Sequence, residues 1–195
     1  DGWIEETISG TKNYDKRKLG ELLKTVKKDD LIIANPNGIN VNGATIINSS
    51  STTLSTAKPT YENGHLKSLN ISKDGSINIG ADGLNDNGDY LNVISNSLKL
   101  EGKIYANEIN VVATDGKVSL KNTNSGLRQD NLKIEQEGGS HPKGVSIDSS
   151  ALGGMYAGKI NIISTKDGAG INNKGAILAD SSLKINANGD LINEG

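Results

Sequence analysis

The sequence predicts an all-β chain, a right-handed parallel β-helix with a short helical or loop extrusion near its N-terminus. Three observations carry that expectation. From Leu31 onward apolar residues recur as brief alternating triplets, turn-forming dipeptides separate them, and two stretches repeat without gaps. Alternation with period two marks short strands that bury one face. Gapless repetition over long separations is what stacked coils produce, whereas an antiparallel sandwich of hairpins, the competing arrangement, gives no reason for it.

Composition sets the kind of core. Ile, Leu and Val together supply 47 of the 195 residues, above the level at which chains stay unfolded. One Trp, five Tyr and no Phe cannot build an aromatic-centred core, so the filling is aliphatic and narrow. The net charge is −2 and basic residues are spread along the chain, which argues against a nucleic-acid partner. With no Cys there is no disulfide, thiolate metal site or thiol nucleophile, and the compartment is left open. Apolar runs such as residues 31–34 are far below the ~20 residues of a membrane helix. No basic start followed by an apolar stretch opens the chain.

Residues 1–30 are read as an N-terminal extrusion or partial coil. Within them residues 16–28 (KRKLGELLKTVKK) place Leu19, Leu22, Leu23 and Val26 at helix-like spacing. Gly20 weakens that helix by ~1 kcal/mol relative to Ala. Asp15, Glu21, Asp29 and Asp30 offset its lysines, and Trp3 and Tyr14 are placed as the side chains packing it onto the rod.

Residues 31–195 are read as the β-helix. The triplets are Ile39-x-Val41, Leu69-x-Ile71, Ile77-x-Ile79, Leu98-x-Leu100, Ile109-x-Val111, Val118-x-Leu120, Leu132-x-Ile134, Val145-x-Ile147, Ile160-x-Ile162 and Leu183-x-Ile185. Five Asn-Gly and five Asp-Gly pairs supply residues that accept positive φ cheaply. Residues 104–114 (IYANEINVVAT) align on 155–165 (MYAGKINIIST) at an offset of 51. Residues 68–77 (SLNISKDGSI) resemble 182–191 (SLKINANGDL). Coils of roughly 20 residues at the ~4.8 Å strand spacing would give about seven or eight coils and roughly 35 Å of rod. Inward positions form aliphatic columns, outward ones are free to be Lys, Asn, Ser or Asp, and Asn or Gly takes the corners.

The sharpest local feature is Asn35-Pro36-Asn37-Gly38-Ile39. Pro36 fixes φ and drives Asn35 toward extended geometry, while Asn37-Gly38 supplies a tight reversal. By physics alone this is a rigid turn between two strands. Asn42-Gly43 and Gly153-Gly154 are further structural turns.

Other chemistry finds little support. Asp82, Asp86 and Asp89 crowd within eight residues, but a calcium loop needs oxygen ligands at alternating positions with Gly sixth. Counting back from Gly88 puts Gly83 where the first Asp belongs, so the segment reads as a solvated turn and no metal is assigned. His65 and His141 lie in Gly-containing polar loops without a nucleophile elbow or paired-His motif. Arg17 and Arg128 are the only arginines, too few for the clustered sites of β-helical polysaccharide enzymes. No catalytic residue, cofactor or small-molecule substrate is assigned.

Residues 30–49 (DLIIANPNGINVNGATIINS) resemble the signature segment of the secretion domain of two-partner secretion exoproteins. This is the family of filamentous haemagglutinins, haemolysin-type exoproteins and contact-dependent inhibition effectors. Ile8-Ser9-Gly10 with Leu19-Gly20 resembles the segment ahead of the signature, 98–114 (LKLEGKIYANEINVVAT) its later coils, and 149–163 (SSALGGMYAGKINII) the run that closes the domain. The family's usual Gly-Phe-Ile-Asn is replaced by Ala44-Thr45-Ile46-Ile47-Asn48, which keeps an apolar inward side chain. An earlier Asn-Pro-Asn-Leu motif has no counterpart before Asp1, so part of a secretion domain lacking its upstream coils is expected.

The resemblance implies a non-catalytic secretion domain of a large exported adhesin or inhibition effector, secreted or held at the surface of a Gram-negative bacterium. Its implied partner is an outer-membrane transporter whose periplasmic domains recognise the unfolded chain, with residues 35–39 either contacting the transporter or starting the stack. Direct binding of glycans or of host or neighbouring cells by the rod is the alternative.

Overall fold

A computed structural model describes residues 4–7, 29–136 and 144–195. The expected helical extrusion at 16–28, Trp3, Tyr14, Arg17 and His141 therefore lie outside the described residues. The chain runs as strands that turn three corners per circuit. β1 (Ile4–Thr7) pairs in parallel with β2 (Asp29–Ala34). β3 (Ile39–Val41) and β4 (Ala44–Ile46) complete a coil, and β5 (Ser49–Ser55) returns beside β2 with Ile33 opposite Leu54. A hairpin of β6 (Ala57–Glu62) and β7 (His65–Ile71) then leaves the stack.

The circuit resumes with β8 (Ser76–Ile79), β9 (Leu84–Asp86) and β10 (Tyr90–Ser95), then β11 (Ser97–Leu100), β12 (Lys103–Tyr105) and β13 (Glu108–Ala113). A second excursion contains β14 (Lys117–Leu120) and β15 (Leu132–Glu135). β16 (Gly144–Ser149), β17 (Gly154–Ser164), β18 (Ala169–Asn173), β19 (Ala176–Ala187) and β20 (Leu191–Asn193) finish the stack.

Three parallel faces result, and the chain is a right-handed parallel β-helix. The long face stacks β1, β2, β5, β10, β13 and the second halves of β17 and β19. The second face stacks β3, β8, β11, β16, β18 and β20, and the third β4, β9, β12 and the first halves of β17 and β19. Residues 104–114 and 155–165 lie in direct register, with Ile104 opposite Met155 and Ile109 opposite Ile160. Their 51-residue offset is therefore one coil plus the second excursion.

The other repeat is only half structural. Ile77 and Leu191 both lie on the second face, but Leu69–Ile71 is in the hairpin while Leu183–Ile185 is on the long face. The count of seven or eight coils is also too high. Among the described residues the long face holds six strands from β2 to β19, because β6, β7, β14 and β15 form a separate antiparallel sheet. Asn63-Gly64, both at positive φ, make the tip of its first hairpin.

That sheet changes what "outward" means. The prism interior is the expected aliphatic column set, including Leu54, Leu91, Val93, Ile109, Val111, Ile160 and Ile162 from the long face. It meets Ile77, Ile79, Leu98 and Leu100 from the second face and Leu84 and Ile104 from the third. Fully burying each such side chain is worth about 1.5–3 kcal/mol. The outer side of the long face is not solvated as expected. Ile32, Ala34, Ile94 and Val112 pack there against Leu66, Leu69, Val118 and Leu132 of the antiparallel sheet in a second core.

Buried on the same outer side is a polar ladder. Asn92 Nδ2 donates to Thr53 Oγ1 (3.2 Å), Asn110 Nδ2 to Asn92 Oδ1 (3.3 Å) and Asn161 Nδ2 to Asn110 Oδ1 (2.9 Å). Asn92 and Asn110 each donate to the coil before and accept from the coil after, and Asn161 ends the column as a donor, so the amides between coils stay paired.

The corner from the second to the third face is lined by glycines for lack of room. A Cβ on Gly102 would fall on Gly80 O, one on Gly153 on Leu100 O, and one on Gly175 on Gly153 O. Gly102→Ala is expected to cost about 3 kcal/mol, because backbone rather than a side chain must move. Gly64→Ala, where nothing lies within 4 Å, is expected to cost about 1 kcal/mol through its positive φ alone. Urea midpoints at fixed slope check the ranking. Asn110→Ala should cost about 2 kcal/mol, since it strands Asn161 Nδ2 and Asn92 Oδ1 in the same stroke.

Candidate functional site

The segment Asn35–Pro36–Asn37–Gly38–Ile39 forms the corner between the long and second faces in the first complete coil. The Asn35 side chain is buried, and its Oδ1 accepts the Asn37 N–H at 3.1 Å. The Gly38 N–H donates to Asn35 O at 3.0 Å, closing the β-turn around Pro36 and Asn37. The Asn35 N–H donates to Ser55 O at 2.9 Å, which carries the ladder around the corner into the next coil. The Thr56 N–H likewise donates to the coil that follows, at Ile94 O, whereas at the same corner the N–H groups of Thr114, Thr165 and Asn188 donate back to the coil before.

Gly38 has φ +119, a conformation open to glycine, and even there a Cβ would come within 3.0 Å of Ser76 O. The turn rests on the following coil at Gly75, where a Cβ would meet Thr56 Cβ and Pro36 O. Ile39 stands opposite Ile77 and packs against the interior. Asn37 is the exposed member of the motif. All five residues named from the sequence thus meet at one corner.

Asn42 sits at the next corner and binds the coil beyond it twice. Its Nδ2 donates to Asp82 Oδ2 and its Oδ1 accepts the Asp82 N–H, both at 2.9 Å. The Gly43 N–H donates to Gly83 O at 2.8 Å. Gly153 and Gly154 occupy the same corner three coils on, where the Gly154 N–H donates to Gly102 O. Ile46, in place of the family's aromatic, is buried in the interior, and Ile47 is exposed.

The acidic segment departs from its reading as a solvated turn. Asp82 and Asp89 are exposed, but Asp86 is 2 % exposed and points into the rod where Ile46 stands opposite. Its Oδ1 accepts the Gly88 N–H at 3.0 Å and lies 3.4 Å from Ser49 Oγ, while Oδ2 has no partner. Burial pushes its carboxyl above the ordinary carboxylate range, against the lowering effect of Gly88, Thr52 and Ser49. One-residue alternation flips a side chain across the sheet, and three Asp in a row of turns conceal which of them turns inward. No group of three metal-binding side chains occurs among the described residues.

His65 opens β7 and is half-buried, rather than lying in a surface loop. Arg128 stacks over the Tyr90 ring at 5.1 Å. The asparagine ladder was missed as a feature, although Asn recurs as the middle residue of Leu91-x-Val93, Ile109-x-Val111 and Ile160-x-Ile162.

A three-faced stack whose first described corners are Asn-Pro-Asn-Gly and Asn-Gly turns defines a class by its fold, the parallel β-helices. The TPS secretion domain family matches residues 20–193, and this chain belongs to it. Toxin CdiA of Yersinia pestis is 35 % identical over 171 residues, covering 87 % of this chain and 5 % of that protein. Filamentous hemagglutinin of Bordetella pertussis is 30 % identical over 183 residues, covering 93 % of this chain and 5 % of that protein. A crystal structure of a filamentous hemagglutinin secretion domain superposes with a TM-score of 0.62 at 24 % identity, over 86 % of this chain and 67 % of that one. The chain spans about 5 % of these curated relatives, and the region they share with it is the secretion domain. Membership implies, in general, an outer-membrane transporter as partner.

Asp86 sets an expected pH dependence. Its folded pKa lies above the unfolded one, so the fold binds that proton more tightly and its penalty, present at neutral pH, is relieved as pH falls through the raised pKa. Asp86→Asn should raise stability at pH 7 by on the order of 1 kcal/mol and remove that part of the pH profile. Urea titrations of both proteins between neutral and mildly acidic pH check it. A wild type that loses stability relative to Asp86→Asn on acidification would contradict the assignment.

Proposed function

We propose that this chain is the non-catalytic secretion module of a large exoprotein, recognised unfolded by the periplasmic domains of its outer-membrane transporter and folding at the cell surface. The observation that supports this most directly is the nearest-neighbour architecture. Away from the ends of each face, every strand of the rod hydrogen-bonds to the coil before and the coil after, so growth by one coil at a time is compatible with exit of an extended chain.

Within that reading, residues 35–39 act as a folding start rather than as a docking epitope of the folded rod. Asn35 is buried and its side-chain oxygen is committed to its own turn, so in the folded state it has little to offer a partner. A turn held by Pro36, Asn35 Oδ1 and Gly38 is low in conformational entropy and can form before its neighbours arrive.

Asn35→Ala should lower stability by about 1 kcal/mol and slow refolding by roughly fivefold, while Asn37→Ala leaves both nearly unchanged. Stopped-flow refolding of the purified chain and the amount of protein released by cells carrying the transporter are the paired readouts. An Asn35→Ala chain that refolds at the wild-type rate yet fails to leave the cell would shift the motif's role to transporter contact. Equal release of wild type from cells with and without the transporter would sink the secretion reading itself.

A further inference from the structure

The long-to-second-face corner holds a lysine that nothing above explains. Lys166 is 6 % exposed, the one buried lysine among the described residues. Its Nζ donates to Asn96 Oδ1 at 2.8 Å and to Asn96 O at 3.2 Å. Asn96 is itself 8 % exposed. The pair bridges 70 residues of chain and two coil spacings, reaching across the intervening coil whose corner is Thr114. The stack there is fixed on both sides. Thr165 Oγ1 donates to Thr114 Oγ1 at 2.8 Å, and the Asn96 N–H donates to Thr56 Oγ1 at 3.3 Å.

This is an amine held against a carboxamide inside a dry corner. Burial pushes the Lys166 ammonium below its ordinary range, and the Asp115 carboxylate on the intervening coil offsets that in part. Desolvation is one of the recognised ways to make a lysine amine nucleophilic, and fixed contact replaces a bimolecular encounter. Exposed lysines elsewhere on the rod, such as Lys99 and Lys133, are paired with glutamates in water and meet neither condition.

We propose that Lys166 and Asn96 join in an intramolecular isopeptide bond once the coils between them have stacked. The Lys166 ammonium gives up one proton to solvent, and the freed amine attacks Asn96 Cγ. The Nζ–Cγ bond forms and the Cγ–Nδ2 bond breaks. Lys166 sheds two protons in all and Nδ2 takes up two from solvent, leaving as ammonium, so the step balances. No oxidant or cofactor enters. The bond staples the third coil to the fifth in a chain that has no cysteine to do so. Because the two residues meet only in the folded stack, the cross-link cannot obstruct passage of an unfolded chain.

The test is peptide mapping of the protein recovered from outside the cell. A tryptic digest should lack cleavage after Lys166 and contain a branched peptide joining the segments around 96 and 166, lighter than their sum by one ammonia. Lys166→Arg and Asn96→Ala should lack it. A wild-type protein with the unmodified mass and normal cleavage after Lys166 overturns the proposal, whatever the variants do.

Discussion

Parallel in-register stacking sets every side chain against its own equivalent one coil away, at about 4.8 Å. Only residues that tolerate such a neighbour can occupy a column. Aliphatic side chains do, because each buries against the next. Asparagines do when buried, because an amide carries one donor for the coil on one side and one acceptor for the other, as Asn92 and Asn110 show. Tyr105 and Tyr156 do by stacking their rings at 4.9 Å. Like charges do not, and the register opposes Glu108 to Lys159 and Lys99 to Asp148 instead.

The same constraint explains which parts of the fold were legible. Corner glycines, Asn-Gly turns and triplets report local geometry, and local geometry is written in local sequence. The offset between Ile104 and Met155 was legible too, since two neighbours in register must resemble each other. The direction of a strand was not. Leu69-x-Ile71, Val118-x-Leu120 and Leu132-x-Ile134 have the same period-two signature as the coil strands, yet they lie antiparallel in the added sheet. Alternation says that one face is buried and is silent on what covers it. The 51-residue spacing held the missing information, because one coil of roughly 20 residues leaves a surplus that must leave the stack.

At the candidate corner, Asn35 to Ile39 were legible because Pro36 and Gly38 restrict the backbone whatever surrounds them. Asp86 was not, because its inward orientation depends on the phase of β9, and a shift of one residue would have exposed it. Lys166 was invisible for a different reason. Its partner is 70 residues away, and the corner between Thr165 and Asp167 looks polar and exposed in sequence.

The added sheet limits how independent the coils can be. β7 pairs with β14, so a strand that leaves the stack after β5 finds its second neighbour only after β13 has been laid down. Until then Leu69 and the outer side of β10 lack part of their cover, although Ile94 already belongs to that second core. Growth in strict sequence would leave this apolar surface waiting for about fifty residues, an exposure that favours slippage or pairing with another chain. Two features oppose it. A one-residue slip turns the asparagine ladder inward among aliphatic side chains, where its amides would be stranded. The hairpin of β6 and β7 also closes locally through Asn63-Gly64, so its own backbone groups are paired before β14 arrives. Folding of the rod is therefore sequential along its axis but concerted across the second to fifth coils, because the antiparallel sheet ties the second to the fourth and the Lys166–Asn96 contact ties the third to the fifth.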